Sequence, residues 1–101
     1  MRVELRDEAL DDLVDGALFY RQQAPGLDAY FLEGLRADLQ KLETTFGIHE
    51  KYCGYYRSLS KRFPFAIYYQ LTDETVEVVA ILDCRQDPQS TIDRIGRGSG
   101  S

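Results

Sequence analysis

The sequence predicts an α+β domain in which a helical hairpin packs on a small, mainly antiparallel sheet. Three observations predict it. Apolar residues recur at helical spacing through the first half, switch to a period of two in the second half, and the links between segments are short. A chain of 101 residues holds one domain with one modest core. That domain is expected over 1–95, with 96–101 as a disordered Gly/Ser tail because Gly96-Arg97-Gly98-Ser99-Gly100-Ser101 has linker composition.

Arg2 to Arg6 alternates polar and apolar residues, as a half-buried strand does. Asp7, Glu8, Asp11, Asp12 and Asp15 then crowd the first turns of a helix, where the positive end of the dipole favours them. Leu10, Leu13, Val14, Ala17 and Leu18 carry that helix over 7–23, and Pro25-Gly26 ends it. Leu27, Phe31, Leu35, Leu39, Leu42 and Phe46 form one apolar stripe and predict a second helix over 27–45. So short a link makes the pair an antiparallel hairpin. Gly34 inside the second helix costs about 1 kcal/mol against Ala, and close approach to the first helix is a reason to keep it.

A loop is expected at 47–53, then strands at 55–60, 65–71 and 75–82 joined as a meander, giving the order β-α-α-β-β-β. Ser90 to Ile95 fits a short helix or a loose arm. No apolar run approaches the ~20 residues of a membrane span, and the N-terminus lacks an apolar leader, so a cytoplasmic location is expected.

The chemistry-bearing residues are few. Cys53 and Cys84 fall at opposite ends of the meander, roughly 20 Å apart, which is beyond disulfide reach. His49 is not spaced to join either in a metal site, so no metal and no cofactor is expected. A lone loop histidine is usually a solvated side chain. The net charge of −5 works against bulk binding of a phosphate backbone, so direct DNA binding is not expected. One basic cluster stands out: the Lys61-Arg62 turn lies at the sheet end where the last strand finishes, and Arg85 follows that finish. Lys61, Arg62 and Arg85 should share a rim, with Arg57 back along its strand, as a target-binding edge. The competing reading is that Asp83 and Asp87 neutralise the rim as weak surface ion pairs. Tyr52, Tyr55, Tyr56, Tyr68 and Tyr69 could stack on bases, but strand tyrosines more often pack with the hydroxyl reaching water.

The run Lys61-Arg62-Phe63-Pro64-Phe65-Ala66-Ile67-Tyr68-Tyr69, then Val78-Val79-Ala80-Ile81-Leu82 and Arg85-Gln86-Asp87-Pro88, resembles the RelE/ParE toxin superfamily. Phe19 to Leu27 is similar to that family's first-helix end and turn, and the resemblance covers about residues 1–90. It implies the fold read above and a cytoplasmic bacterial toxin of a type II toxin–antitoxin pair, neutralised by a cognate antitoxin encoded beside it. RelE-like members cut messenger RNA on the ribosome with arginines, lysines and a tyrosine, whereas ParE-like members inhibit DNA gyrase and need no nuclease residues. On this resemblance Ala66 and Gln86 stand where catalytic arginines would be, and Ile92 where the tyrosine would be. Asp83 replaces a histidine usual in the branch. A nuclease needs cations for the phosphate transition state and a base for the 2′-hydroxyl. The resemblance therefore implies a ParE-like gyrase inhibitor with no catalytic residues. The alternatives are a ribosome-dependent ribonuclease using Arg57, Lys61, Arg62 and Arg85, or a degenerate member that binds an antitoxin and poisons nothing.

Overall fold

The computed structural model describes residues 1–99. The elements are β1 (Arg2–Leu5), α1 (Asp7–Gln23), α2 (Leu27–Thr45), β2 (Lys51–Tyr52), β3 (Tyr55–Leu59), β4 (Phe65–Thr72), β5 (Thr75–Asp83) and α3 (Pro88–Ser99). Their sheet order is β1-β5-β4-β3-β2. The pair β1–β5 is parallel and every other pair is antiparallel.

Both long helices have the expected bounds. Asp7 and Glu8 sit in the first turn of α1, and Gly26 at the start of α2 has φ 88°, a left-handed conformation that glycine adopts without a Cβ penalty. The hairpin covers one sheet face. Its core joins Ala9, Phe31, Leu35 and Leu42 of the helices to Phe65, Ile67, Tyr69, Val76, Val78 and Ile81 of the sheet.

Two differences from the sequence expectation matter. The stretch expected to be a loop at 47–53 contains β2, which pairs with the start of β3 through a two-residue turn. Cys53 at φ 52° and Gly54 at φ 86° give both central residues the positive φ that a tight type I′ hairpin needs. The second difference is α3, a full helix that covers the other face of the sheet. Its Ile95 is buried with Tyr55, Ala66, Tyr68, Val79, Ala80 and Leu82. This explains the unbroken apolar run in β5. A register shift at Tyr68/Tyr69 puts Val78 and Ile81 on the hairpin face while Val79, Ala80 and Leu82 turn to α3. The unstructured segment expected at 96–101 falls partly on residues 100–101, outside the described residues, and the backbone of α3 is described as far as Ser99.

The reason for Gly34 also differs. A Cβ there would lie 2.8 Å from the Phe63 ring, in the turn after β3, and not against α1. The close helix–helix approach is at Gly16, where a Cβ would lie 2.6 Å from the Phe31 ring of α2.

Candidate functional site

The turn between β3 and β4 carries Lys61 and Arg62 and is held from below. Asp38 of α2 is buried. One of its oxygens accepts a 2.6 Å hydrogen bond from the Ser60 hydroxyl, and the other accepts the Lys61 backbone N–H at 3.3 Å. Phe63 wedges its ring edge-on against Tyr20, Tyr30 and Phe31. The Cys84 backbone N–H donates to the Pro64 carbonyl at 2.7 Å, which ties the end of β5 to this turn. The expected meeting of the turn with the last strand is therefore present at backbone level.

The side chains diverge from there. Arg62 lies 5.3 Å from the centre of the Tyr30 ring, leaning over α2. Arg85 is drawn to Asp83 through Nε at 3.0 Å and Nη2 at 2.7 Å, and it lies 5.9 Å from the centre of the Phe19 ring of α1. That pairing holds the Asp83 carboxyl below its ordinary range. Arg57 is on the opposite sheet face, where Nε donates to the Tyr68 hydroxyl at 3.2 Å and Nη2 lies 3.7 Å from Cys84 Sγ. Lys61 is exposed at the tip. Lys61, Arg62 and Arg85 thus share one end of the sheet with Arg57 back along β3, and the three guanidiniums point in three directions. The ion-pair reading holds for Arg85 with Asp83; Asp87 instead accepts the Gln89 backbone N–H at the start of α3.

Such an end is suited to contact and poorly suited to bond-making. Burial pushes the Tyr68 phenol up, against the opposing pull of Arg57, so it stays protonated near neutrality and is a poor base. Ala66 is fully buried beside Tyr68, Leu82 and Ile95. Gln86 is exposed and lines a separate groove with Asp12, Asp15 and Phe19, while Ile92 is partly exposed on α3. Among the described residues no group of three or more His, Cys, Asp or Glu is placed to hold a metal ion. Both cysteines are free thiols. The tyrosines pack: Tyr55, Tyr68 and Tyr69 are buried, and Tyr56 stacks on Tyr69.

The structural roles of three groups were not read from the sequence. Asp38 is the anchor just described. Asp12 of α1 accepts the Ile81 backbone N–H at 3.0 Å and binds Arg94 of α3 at 2.7 and 2.8 Å. A carboxylate on the buried stripe of each helix is the signal that could have found them. The third is His49, expected to be solvated. Its Nδ1 lies 2.6 Å from the Tyr69 hydroxyl, whose oxygen also accepts the Gly47 N–H, and burial lowers the His49 pKa. The His49 ring and the Gly47 N–H thus both meet the Tyr69 hydroxyl, with the imidazole tautomer setting which of His49 and Tyr69 donates.

A family described as the ParE toxin of type II toxin–antitoxin systems (parDE) matches residues 3–88. Among solved structures, a chain of the chromosomal ParDE toxin–antitoxin system from P. aeruginosa has the same fold, with a TM-score of 0.72 at 15% identity. The match covers 80% of this chain and 92% of that one. No curated protein matches.

Proposed function

The chain belongs to the ParE toxin family of type II toxin–antitoxin systems, and from that premise we propose that it poisons DNA gyrase by binding, without making or breaking bonds. The observation that carries this reading is what occupies the positions where the nuclease branch keeps its cations and tyrosine. Ala66 is sealed in the core, Gln86 lines a groove with three acidic residues, and Ile92 presents an aliphatic chain. The Lys61-Arg62 turn, stiffened by Asp38 and Phe63, is the surface offered to the target. A stiff turn loses little conformational entropy on contact. No helix among the described residues is long and apolar enough to cross a membrane.

An antitoxin is the second partner. Leu10, Val14 and Leu18 recur every fourth residue on α1 and are 47%, 55% and 50% exposed, a row on which an amphipathic helix can lie. The test is a supercoiling and cleavage assay with purified gyrase and an excess of the chain. Inhibited supercoiling, relieved in the Lys61→Glu/Arg62→Glu double variant, is expected. Unaffected supercoiling and cleavage contradicts the reading.

One contact keeps the ribosome-dependent ribonuclease alive as a second reading: Arg57 and Tyr68 are hydrogen-bonded on the face away from the helical hairpin. Cleavage of a message on stalled ribosomes, lost on Arg85→Ala or Arg57→Ala, would establish it instead.

A further inference from the structure

Two of the rim cations lean away from the sheet toward rings of the helical hairpin, and those rings form one row. Phe19 and Tyr20 near the end of α1 meet edge-on, with ring centres 5.2 Å apart. Tyr20 meets Phe63 of the β3–β4 turn at 5.2 Å, and Phe63 meets Tyr30 of α2 at 5.5 Å. The row thus crosses the turn end of the hairpin. Its middle is anchored: Tyr20 and Phe63 are half-buried and pack on Phe31, which is fully buried. Its ends are bare, with Phe19 45% and Tyr30 47% exposed. A guanidinium lies over each bare end, Arg85 at 5.9 Å from the Phe19 ring centre and Arg62 at 5.3 Å from that of Tyr30. Exposed aromatic rings interleaved with arginine are the composition that distinguishes an interface core from ordinary surface.

We propose that this row, with Lys61, Arg62 and Arg85 along it, is the face that docks on the target, and that it takes an acidic protein surface with an apolar centre. The inference rests on the target-binding reading above and widens it from the turn to the end of the hairpin, where Phe19 and Tyr30 become binding residues. Tyr and Arg dominate the energetics of protein interfaces, and rings braced by their neighbours lose little entropy on contact. Charge selects the occupant. Among the described residues neither Lys61 nor Arg62 is in an ion pair, and Asp38 beneath the turn is buried and committed to Ser60 and the Lys61 N–H. Carboxylates of a partner complete these two cations, while its apolar centre covers the Phe19 and Tyr30 rings. A second copy would set the cations against their own copies on a chain whose net charge is −5, and nucleic acid meets the same overall repulsion.

The experiment measures the affinity of the full chain for purified gyrase, with and without DNA, for the wild type, Phe19→Ala and Tyr30→Ala. A Phe19→Leu/Tyr30→Leu variant keeps apolar bulk against Tyr20 and Phe63, and so carries the test if alanine unfolds the chain. Circular dichroism checks the fold, and binding of the antitoxin encoded beside the chain is measured in parallel. The expected result is gyrase binding without DNA that weakens as salt rises and falls about tenfold in each alanine variant of unchanged fold. Tight wild-type binding that every variant keeps overturns the aromatic face and leaves the gyrase reading standing. Absence of any wild-type binding overturns both. Binding that requires DNA would assign the face to phosphates and overturn the acidic protein partner. Variants that keep gyrase but lose the antitoxin would assign the face to the antitoxin and overturn the proposal.

Discussion

At the residue scale, the least expected group is His49. Its Nδ1 is hydrogen-bonded with the Tyr69 hydroxyl, and burial lowers its pKa below the ordinary value of about 6.5. A histidine lowered in the folded state contributes stability that is present above the unfolded pKa. That contribution is lost as pH falls from about 6.5 through the folded pKa. Proton NMR should therefore find His49 titrating below 6.5, with exchange at the Gly47 amide quickening over the same range; an ordinary or raised pKa would contradict this. The two helical glycines make a second test. Alanine at either gains about 1 kcal/mol of helix propensity but must move a ring. At Gly16 the ring is Phe31, fully buried, so Gly16→Ala should destabilise by about 1–3 kcal/mol in urea melts. Phe63, half-buried, can yield, so Gly34→Ala should cost less. Sequence spacing flagged Gly34 but could not say which neighbour approaches it, because that neighbour is 29 residues away in a turn.

At the element scale, α1 and α2 were legible to the residue because their apolar period and the Pro25-Gly26 break are local signals. The strand β2 was not, since two residues show no period and Cys53-Gly54 lacks the Asn or Asp of common tight turns. In α3 a linker-like end obscured two residues at helical spacing, Thr91 and Ile95, that are buried. This helix is attached by Ile95 and by the Arg94–Asp12 pair, so each attachment can be cut separately. Ile95→Ala should cost about 2–5 kcal/mol. Arg94→Ala leaves Asp12 buried with only the Ile81 N–H, and burial already pushes the Asp12 carboxyl up. An acid raised in the folded state binds its proton there first, so the folded form gains as pH falls through the folded pKa. The Arg94→Ala loss should accordingly be larger at pH 7 than near pH 4, read by denaturant melts at both. An equal loss at both pH values would mean Asp12 remains charged without its partner and would contradict this.

At the scale of the whole molecule, an acidic chain gathers three cations at one end of its sheet, with Arg57 back along β3, without making them one site. The sequence order alone placed Lys61, Arg62 and Arg85 at that end, since strand direction in a meander follows from short connections. It could not show how they part, because Tyr30, Asp83 and Tyr68 decide which way each guanidinium leans. The division agrees with a protein that grips its target and against one that cleaves it, since a nuclease needs its cations converging on one phosphate. The direct test is to induce the chain alone in a bacterial host and pulse-label DNA and protein synthesis over the first minutes. A gyrase poison stops DNA synthesis first, and the Lys61→Glu/Arg62→Glu variant should blunt that arrest. Protein synthesis failing first, with DNA synthesis following later, would contradict the account and point to the ribosome.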